Sequence, residues 1–173
     1  MVTPSADRPA AWLDALADQV LAHGIAASSL RALARAAGTS DRMLLYYFSD
    51  KDAVLAAVLQ HAATRMMALL GVVAPPQPLA TAALRMRVLP MLRDPAVAPF
   101  MRLWLELAAR GAAGDPLARR IGADIGRGFL TWIEMHSTSG DDRAAAARLL
   151  AEIEGTVLLD SLGMRDVVDQ ALG

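Results

Sequence analysis

SSLRALARAAGTSDRMLLYYFSDK, residues 28–51, decides how the rest of the chain is read. Ser28 or Ser29 can cap a short helix over Leu30 to Ala37, because a serine hydroxyl accepts from a free N–H of the first turn. Gly38 ends that helix, since glycine takes a left-handed C-terminal cap without steric cost. Thr39 and Ser40 open a second short helix that reaches about Tyr47, and Asp50 caps a longer one from Lys51 to about Leu70. Two short helices joined at Ala37-Gly38-Thr39 have the spacing of a helix-turn-helix. Ala34 is small where crossing helices must approach closely. Leu30, Leu33, Leu44 and Phe48 can pack the pair on a preceding helix. A plain helical hairpin has the same spacing, so spacing alone leaves both readings open.

Upstream, residues 9–23 read as an amphipathic helix, with Trp12, Leu16, Val20 and Leu21 on one face and Asp14 and Asp18 off it, closed by Gly24. Downstream, Pro75, Pro76 and Pro78 break the helical pattern, since proline lacks the N–H donor and disfavours helical geometry in the residue before it. Residues 79–92 are helical by composition, with Pro90 distorting the end. Asp94-Pro95 and Asp115-Pro116 each pair an N-cap with a proline at the first helical position. They are expected to open helices near 95–111 and 116–137. Ser139-Gly140-Asp141 reads as a turn, the next helix runs from about Asp142 to Leu162, and Gly163 sets off a short final segment. There is no strand-like alternation of useful length and no internal repeat. The expected fold class is all-α: a three-helix segment with the helix-turn-helix over residues 1–50, then a helical bundle over 51–173, with the helix 51–70 linking the two.

The 173 residues suit one large helical unit or two small ones. The absence of cysteine excludes disulfides and thiolate metal sites and fits a cytoplasmic location. The first eight residues lack the basic start and apolar run of a signal peptide. No uninterrupted apolar run reaches about 18 residues, so no membrane partner is expected. A net charge of −1 argues against a general polyanion binder. Residues 1–60 hold five Lys/Arg against six Asp/Glu, so any affinity for an anionic polymer must come from a few placed contacts and from bivalency. Lys51 is the only lysine, which with the abundant alanine reads as genomic base composition rather than a phosphate-binding signature. His23, His61 and His136 are isolated, and no HExxH, glycine-rich phosphate loop or GxSxG occurs. Glu152 and Glu154 point to different faces of a helix. No catalytic residue, metal or cofactor is expected, and the chain is read as not an enzyme.

The order of residue types across the opening stretch resembles the TetR family of transcriptional regulators. The matching positions are Ser28-Ser29-Leu30, Leu33-Ala34, Ala37-Gly38, Thr39-Ser40, Leu44, Tyr47-Phe48 and Lys51, together with Gly24 and the helix from Trp12 to Ala22. The resemblance covers about fifty residues; the remainder is similar only in being helical and of suitable size. It implies a ligand-responsive regulator, read here as a repressor, that binds a palindromic double-stranded DNA operator as a homodimer and is released by a small, mostly apolar effector. By position, it implies that Ser29 touches a phosphate, that Arg31 reaches a base, and that Thr39, Ser40, Asp41, Arg42, Met43 and Tyr46 lie at the recognition helix. Tyr47 replaces the usual histidine and can still donate its hydroxyl, and Lys51 contacts the backbone. Leu45 departs from the family, which usually has tyrosine there. Asp41 would repel phosphate and fits equally well as a partner of the helix N-terminus. The alternative is a helical protein–protein adaptor that binds no DNA.

The resemblance also implies an effector site and a dimer interface in the C-terminal bundle. Candidate lining residues are Met66, Leu70, Met86, Met91, Phe100, Met101, Trp104, Trp132 and Met135, whose flexible or aromatic side chains suit an apolar ligand. The same stripes fit an ordinary core. Arg102, Glu106 and His136 are the polar candidates for orienting a ligand, although Arg102 and Glu106, four apart, fit a surface pair equally well. For the interface, apolar stripes run along Leu117, Ile121, Ile125 and Phe129 on one helix and Leu149, Ile153 and Val157 on the next. Those stripes could instead face the protomer's own core.

Overall fold

The computed structural model describes residues 7–138 and 143–172. Its helices are α1 (Asp7–His23), α2 (Leu30–Ala36), α3 (Asp41–Tyr47), α4 (Lys51–Val73), α5 (Thr81–Leu92), α6 (Ala98–Ala112), α7 (Pro116–His136), α8 (Arg143–Ser161) and α9 (Arg165–Leu172). Among the described residues there is no strand. A single parallel bridge joins Leu79 to Ser137, made by the Leu79 N–H on the His136 carbonyl at 2.9 Å and the Thr138 N–H on the Leu79 carbonyl at 2.7 Å. The all-α expectation holds. The expected turn Ser139-Gly140-Asp141, and Asp142, lie outside the described residues.

Helix ends follow the punctuation, with one correction. Gly24, Gly38 and Gly163 all sit at positive φ (81°, 62° and 79°) and close α1, the α2 turn and α8. The Asp115 carboxylate accepts from the Ala118 N–H at 3.1 Å, and α7 begins at Pro116 as expected. Asp94-Pro95 does not open a helix. The Asp94 side chain accepts from Ala96 N–H at 2.8 Å and its carbonyl from Val97 N–H at 2.9 Å, which makes a turn, and α6 starts three residues after Pro95, at Ala98. An aspartate side chain that bonds its own backbone two residues on forms a turn that competes with a helix start.

The chain divides into two compact units. The first takes the residues up to Met66 together with Arg102–Ala123. Its core holds Leu16, Val20 and Leu21 of α1, Leu33 and Ala34 of α2, Leu44 of α3, Val54, Leu55, Val58 and Leu59 of α4, Leu103 and Leu107 of α6, and Ile121 of α7. Salt bridges from His61 to Asp14 and from Arg65 to Asp18, both 2.7 Å, tie α4 to α1. By length and composition α4 could cross a membrane, with a mean hydropathy of 1.5. It opens on Lys51-Asp52, carries Gln60, His61, Thr64 and Arg65, and spends its apolar face in this core.

The second unit comprises Met67–Met101 and the residues from Asp124 onward. Leu84, Val88, Leu89 and Leu92 of α5 are buried there, with Trp132 and Ile133 of α7, Ala146, Leu149, Ile153 and Thr156 of α8, and Val168 of α9. Arg93, at the end of α5, bonds Asp160 of α8 through Nε and Nη2 (2.7 and 3.2 Å) and Asp169 of α9 through Nη1 at 3.0 Å. The Asp160 carboxylate, hydrogen-bonded to this guanidinium, raises the pKa of Arg93 above its ordinary value.

Candidate nucleic-acid interface

The first unit presents the helix-turn-helix on short, capped elements. The Ser29 hydroxyl is the N-cap of α2 and accepts from Ala32 N–H at 3.2 Å. The Ser40 hydroxyl caps α3 in the same way from Met43 N–H, also at 3.2 Å. Ser28, the other serine considered for the first cap, is buried and donates its hydroxyl to the Gly24 carbonyl at 2.6 Å, which fastens the α1–α2 turn. Asp50 caps α4 through Ala53 N–H at 2.7 Å. Gly38 has open space around the position a Cβ would take, so only its positive φ requires glycine.

In α3 one face is committed to the core and the other is free. Leu44 is fully buried, and Met43 is half-buried. Tyr47 is half-buried, with its ring edge-on to Trp12 at 5.4 Å between centroids. Asp41, Arg42, Leu45 and Tyr46 are exposed, Tyr46 at 65%. Ser29 and Arg31 of α2, Ser40 and Lys51 are exposed too, and Thr39 is half-buried. Of the two adjacent tyrosines, Tyr47 packs on Trp12 with part of its surface open and Tyr46 faces solvent, in edge contact with Tyr47 at 5.2 Å. Arg35, which the sequence reading passed over, is a further exposed cation in the last turn of α2. Among the described residues, Arg31, Arg35, Arg42 and Lys51 are not held in ion pairs, so all four guanidinium or ammonium groups face solvent. A helix that shows arginine, tyrosine and a short apolar side chain on its open face has the groups that read base edges and thymine methyls in a major groove.

Glu106 of α6 is the residue whose role the sequence reading missed. Its two carboxylate oxygens accept from the successive N–H groups of Ile25 and Ala26, both at 2.8 Å. The positive φ of Gly24 turns those N–H groups onto one anion. A Cβ at Gly24 would stand 2.6 Å from the Glu106 Oε2. Only separation in sequence hid this contact, since the partners stand 81 and 80 positions apart.

The expected effector-lining residues are distributed over both units. Met66 and Trp104 belong to the first unit and the other seven to the second. Leu70 and Trp132 are buried; Met91, Phe100 and Met101 are half-buried. Met86 and Met135 lie on the surface at 62% and 60% exposure. Both sit on the solvent side of helices whose inward positions are filled by Leu84, Val88 and Ile133. In the first unit, α6 and α7 form an open groove of about 350 Å³, lined by small residues (Ala108, Gly111, Ala112, Ala118, Gly122) with Trp104, Leu107 and Arg119. Of the expected set it contains Trp104 alone. His136 stacks on Trp132 at 4.4 Å, and its Nδ1 donates to the Trp132 carbonyl at 2.7 Å.

The expected interface stripes divide by burial. Ile121, Leu149 and Ile153 are at most 2% exposed and face their own units' cores. Leu117, Ile125, Phe129 and Val157 are half-buried. A helix in a bundle must spend one apolar stripe inward, and on α8 that stripe is Ala146, Leu149, Ile153 and Thr156.

The capped α2–α3 pair, with the open face of α3, has the geometry of a helix-turn-helix. Residues 13–58 match the family described as bacterial regulatory proteins, tetR family. No curated protein matches the chain. Among solved structures it is similar to a transcriptional regulator from Rhodococcus sp. Rha1, with 23% identity over 95% of this chain and 91% of that one and a TM-score of 0.69. A protein of Rhodococcus sp. assigned to the TetR-family transcriptional regulators shares 22% identity over 97% and 95%, with a TM-score of 0.71. The multidrug binding protein EbrR, solved with imidazole, shares 20% over 96% and 90%, with a TM-score of 0.66. At these identities the likeness is one of fold, and it extends over both units.

Proposed function

We propose that the protein is a ligand-responsive transcriptional repressor that binds a palindromic operator as a homodimer. Residues 1–50 would read the DNA, residues 51–173 would bind the effector and dimerise, and α4 would link them. The observation that carries this reading is the open face of α3: Arg42, Leu45 and Tyr46 exposed on a capped helix inside a segment of TetR type. Ser29, Arg31, Tyr47 and Lys51 serve as phosphate or flanking contacts. A single short helix reads too few bases for useful specificity, which favours two copies on two half-sites. Release by a small apolar compound rests on the family and on the multidrug-binding relative in fold, EbrR. Such a compound acts only through its different affinities for the DNA-competent and incompetent states.

The test is a binding titration with the DNA upstream of the chain's own gene against scrambled DNA, repeated across salt concentrations. Sequence-dependent binding whose affinity falls with salt supports the reading. Equal binding to both DNAs, or none, favours the adaptor. The effector part is tested by thermal shift with a panel of apolar cations and neutral aromatics, and no shift with any of them would leave only the DNA-binding part standing.

A further inference from the structure

We propose that Glu106 is a positioning residue for DNA reading: its carboxylate holds the α1–α2 turn on α6 and thereby fixes the attitude of α2 and α3. The inference rests on the DNA-binding reading above and assigns it a residue outside the helix-turn-helix. Three observations converge on this contact. Both carboxylate oxygens are used, each on a different backbone N–H at 2.8 Å, so the turn is held at two points rather than hinged at one. Successive N–H groups after a left-handed residue form a concavity that favours an anion, and Gly24 at φ 81° supplies that residue. The carboxylate also lies directly against the turn, since a Cβ at Gly24 would stand 2.6 Å from the Glu106 Oε2.

The turn is short and stiff from there to the reading helix. Ile25 is buried, Ser28 ties back to the Gly24 carbonyl, and Ser29 caps α2, which packs on α3. A shift of the turn therefore moves α2 and α3 as a body. Glu106 also stands on the helix whose neighbouring residues Trp104, Leu107 and Ala108 border the α6–α7 groove. The helix-turn-helix is thus anchored to an element of the chain that does not itself touch the reading face.

The experiment compares Glu106→Ala and Glu106→Gln with the parent in full-length protein. Glutamine keeps one acceptor oxygen and loses the other, so its effects should be intermediate. The readouts are amide hydrogen exchange and titration on specific and scrambled DNA. In Glu106→Ala, exchange at Ile25 and Ala26 should rise at least tenfold, and the rise should extend into residues 30–47 while the amides of α5 and α8 stay protected. Specific affinity should fall about tenfold, with scrambled-DNA affinity and the salt slope unchanged, because no phosphate contact is removed. A rise confined to residues 25 and 26, or unchanged specific affinity, would reduce Glu106 to a local cap and overturn the proposal. Equal loss on both DNAs would overturn it too, as would general loss of protection in both variants. If the parent itself shows no sequence-dependent binding, the functional reading fails, and the spread of exchange into 30–47 alone decides the positioning role.

Discussion

Arg42 and Lys51 are both exposed, yet their places on the scaffold give them different work. Arg42 stands in the first turn of α3, whose open face also carries Leu45 and Tyr46. Lys51 opens α4, after the Asp50 cap, where a flexible ammonium is suited to a phosphate. Arg42→Ala should cost about 1–3 kcal/mol on the cognate site and relax preference at one or two positions of each half-site. Lys51→Ala should weaken binding evenly on all sequences and lower the salt slope by about one counterion per subunit. Titrations on the operator and its single-base variants at several salt concentrations separate the two. A uniform loss from Arg42→Ala would move base reading to Arg31 or Tyr46. Leu45 offers a second test at this scale. It is 42% exposed, on the open face of α3. Leu45→Tyr restores the family's usual residue at that position. The added hydroxyl should tighten binding by about 0.5–1.5 kcal/mol on all sequences through one neutral hydrogen bond to phosphate, with the salt slope unchanged. Tighter binding on one sequence alone would instead make Leu45 a base-reading residue.

Element ends carry the fold's most legible chemistry, and α7 shows how they respond to pH. The Asp115 carboxylate caps α7 through Ala118 N–H and pairs with Arg110 at 2.9 Å. The backbone bond from Ala118 first, and then the Arg110 guanidinium, hold its pKa below the ordinary value of 3.8. Between that value and the lowered one the unfolded chain binds the extra proton, so stability falls as pH falls through this window and is fully present above it. Asp115→Asn keeps a capping oxygen but cannot titrate. Its stability should therefore fall less steeply than the parent's below about pH 4, read by urea unfolding from pH 6 to 3, whereas parallel curves would mean the carboxylate titrates alike in both states. This cap was legible beforehand because an N-cap and the proline after it are adjacent in sequence. The same logic failed at Asp94-Pro95, where the side chain closes a turn, because one dipeptide serves both outcomes and only the residues after it distinguish them. The caps at Ser29, Ser40 and Asp50 and the left-handed glycines were readable for the same local reason. Glu106 was not, since its partners lie some eighty residues away. The inward and outward stripes of α7 and α8 were also beyond reading: alanine, leucine and isoleucine recur on several faces of α8, and only packing chooses among them.

At the scale of the molecule, the question is which apolar surface is left over once each unit has filled its core. In the second unit Met135, Leu158, Leu162, Met164 and Val167 are 39–65% exposed, and Phe129 and Val157 are half-buried beside the buried Trp132 and Ile153. The last turn of α8 and the start of α9 thus display large apolar groups that no neighbour in the described chain covers fully. We expect a second copy to cover them, with Phe129 and Val157 at the margin. The stripe first expected to do so cannot be tested cleanly, because Ile153→Glu would bury a charge at a position 1% exposed and should cost more than about 4 kcal/mol by unfolding the unit. Leu158→Glu with Leu162→Glu charges side chains that already face solvent at 50% and 65%, so the fold should survive. The double variant should elute as a folded monomer by light scattering, with helical content unchanged. Its affinity for a palindromic site should drop about 100-fold or more, because linked binding of two half-sites is lost, while binding to a single half-site stays as in the parent. A folded dimer after both changes would place the interface elsewhere, with Phe129→Glu and Val157→Glu the next pair to make. A parent that is monomeric at micromolar concentration and binds the palindrome no better than the half-site would remove the dimer from the mechanism altogether.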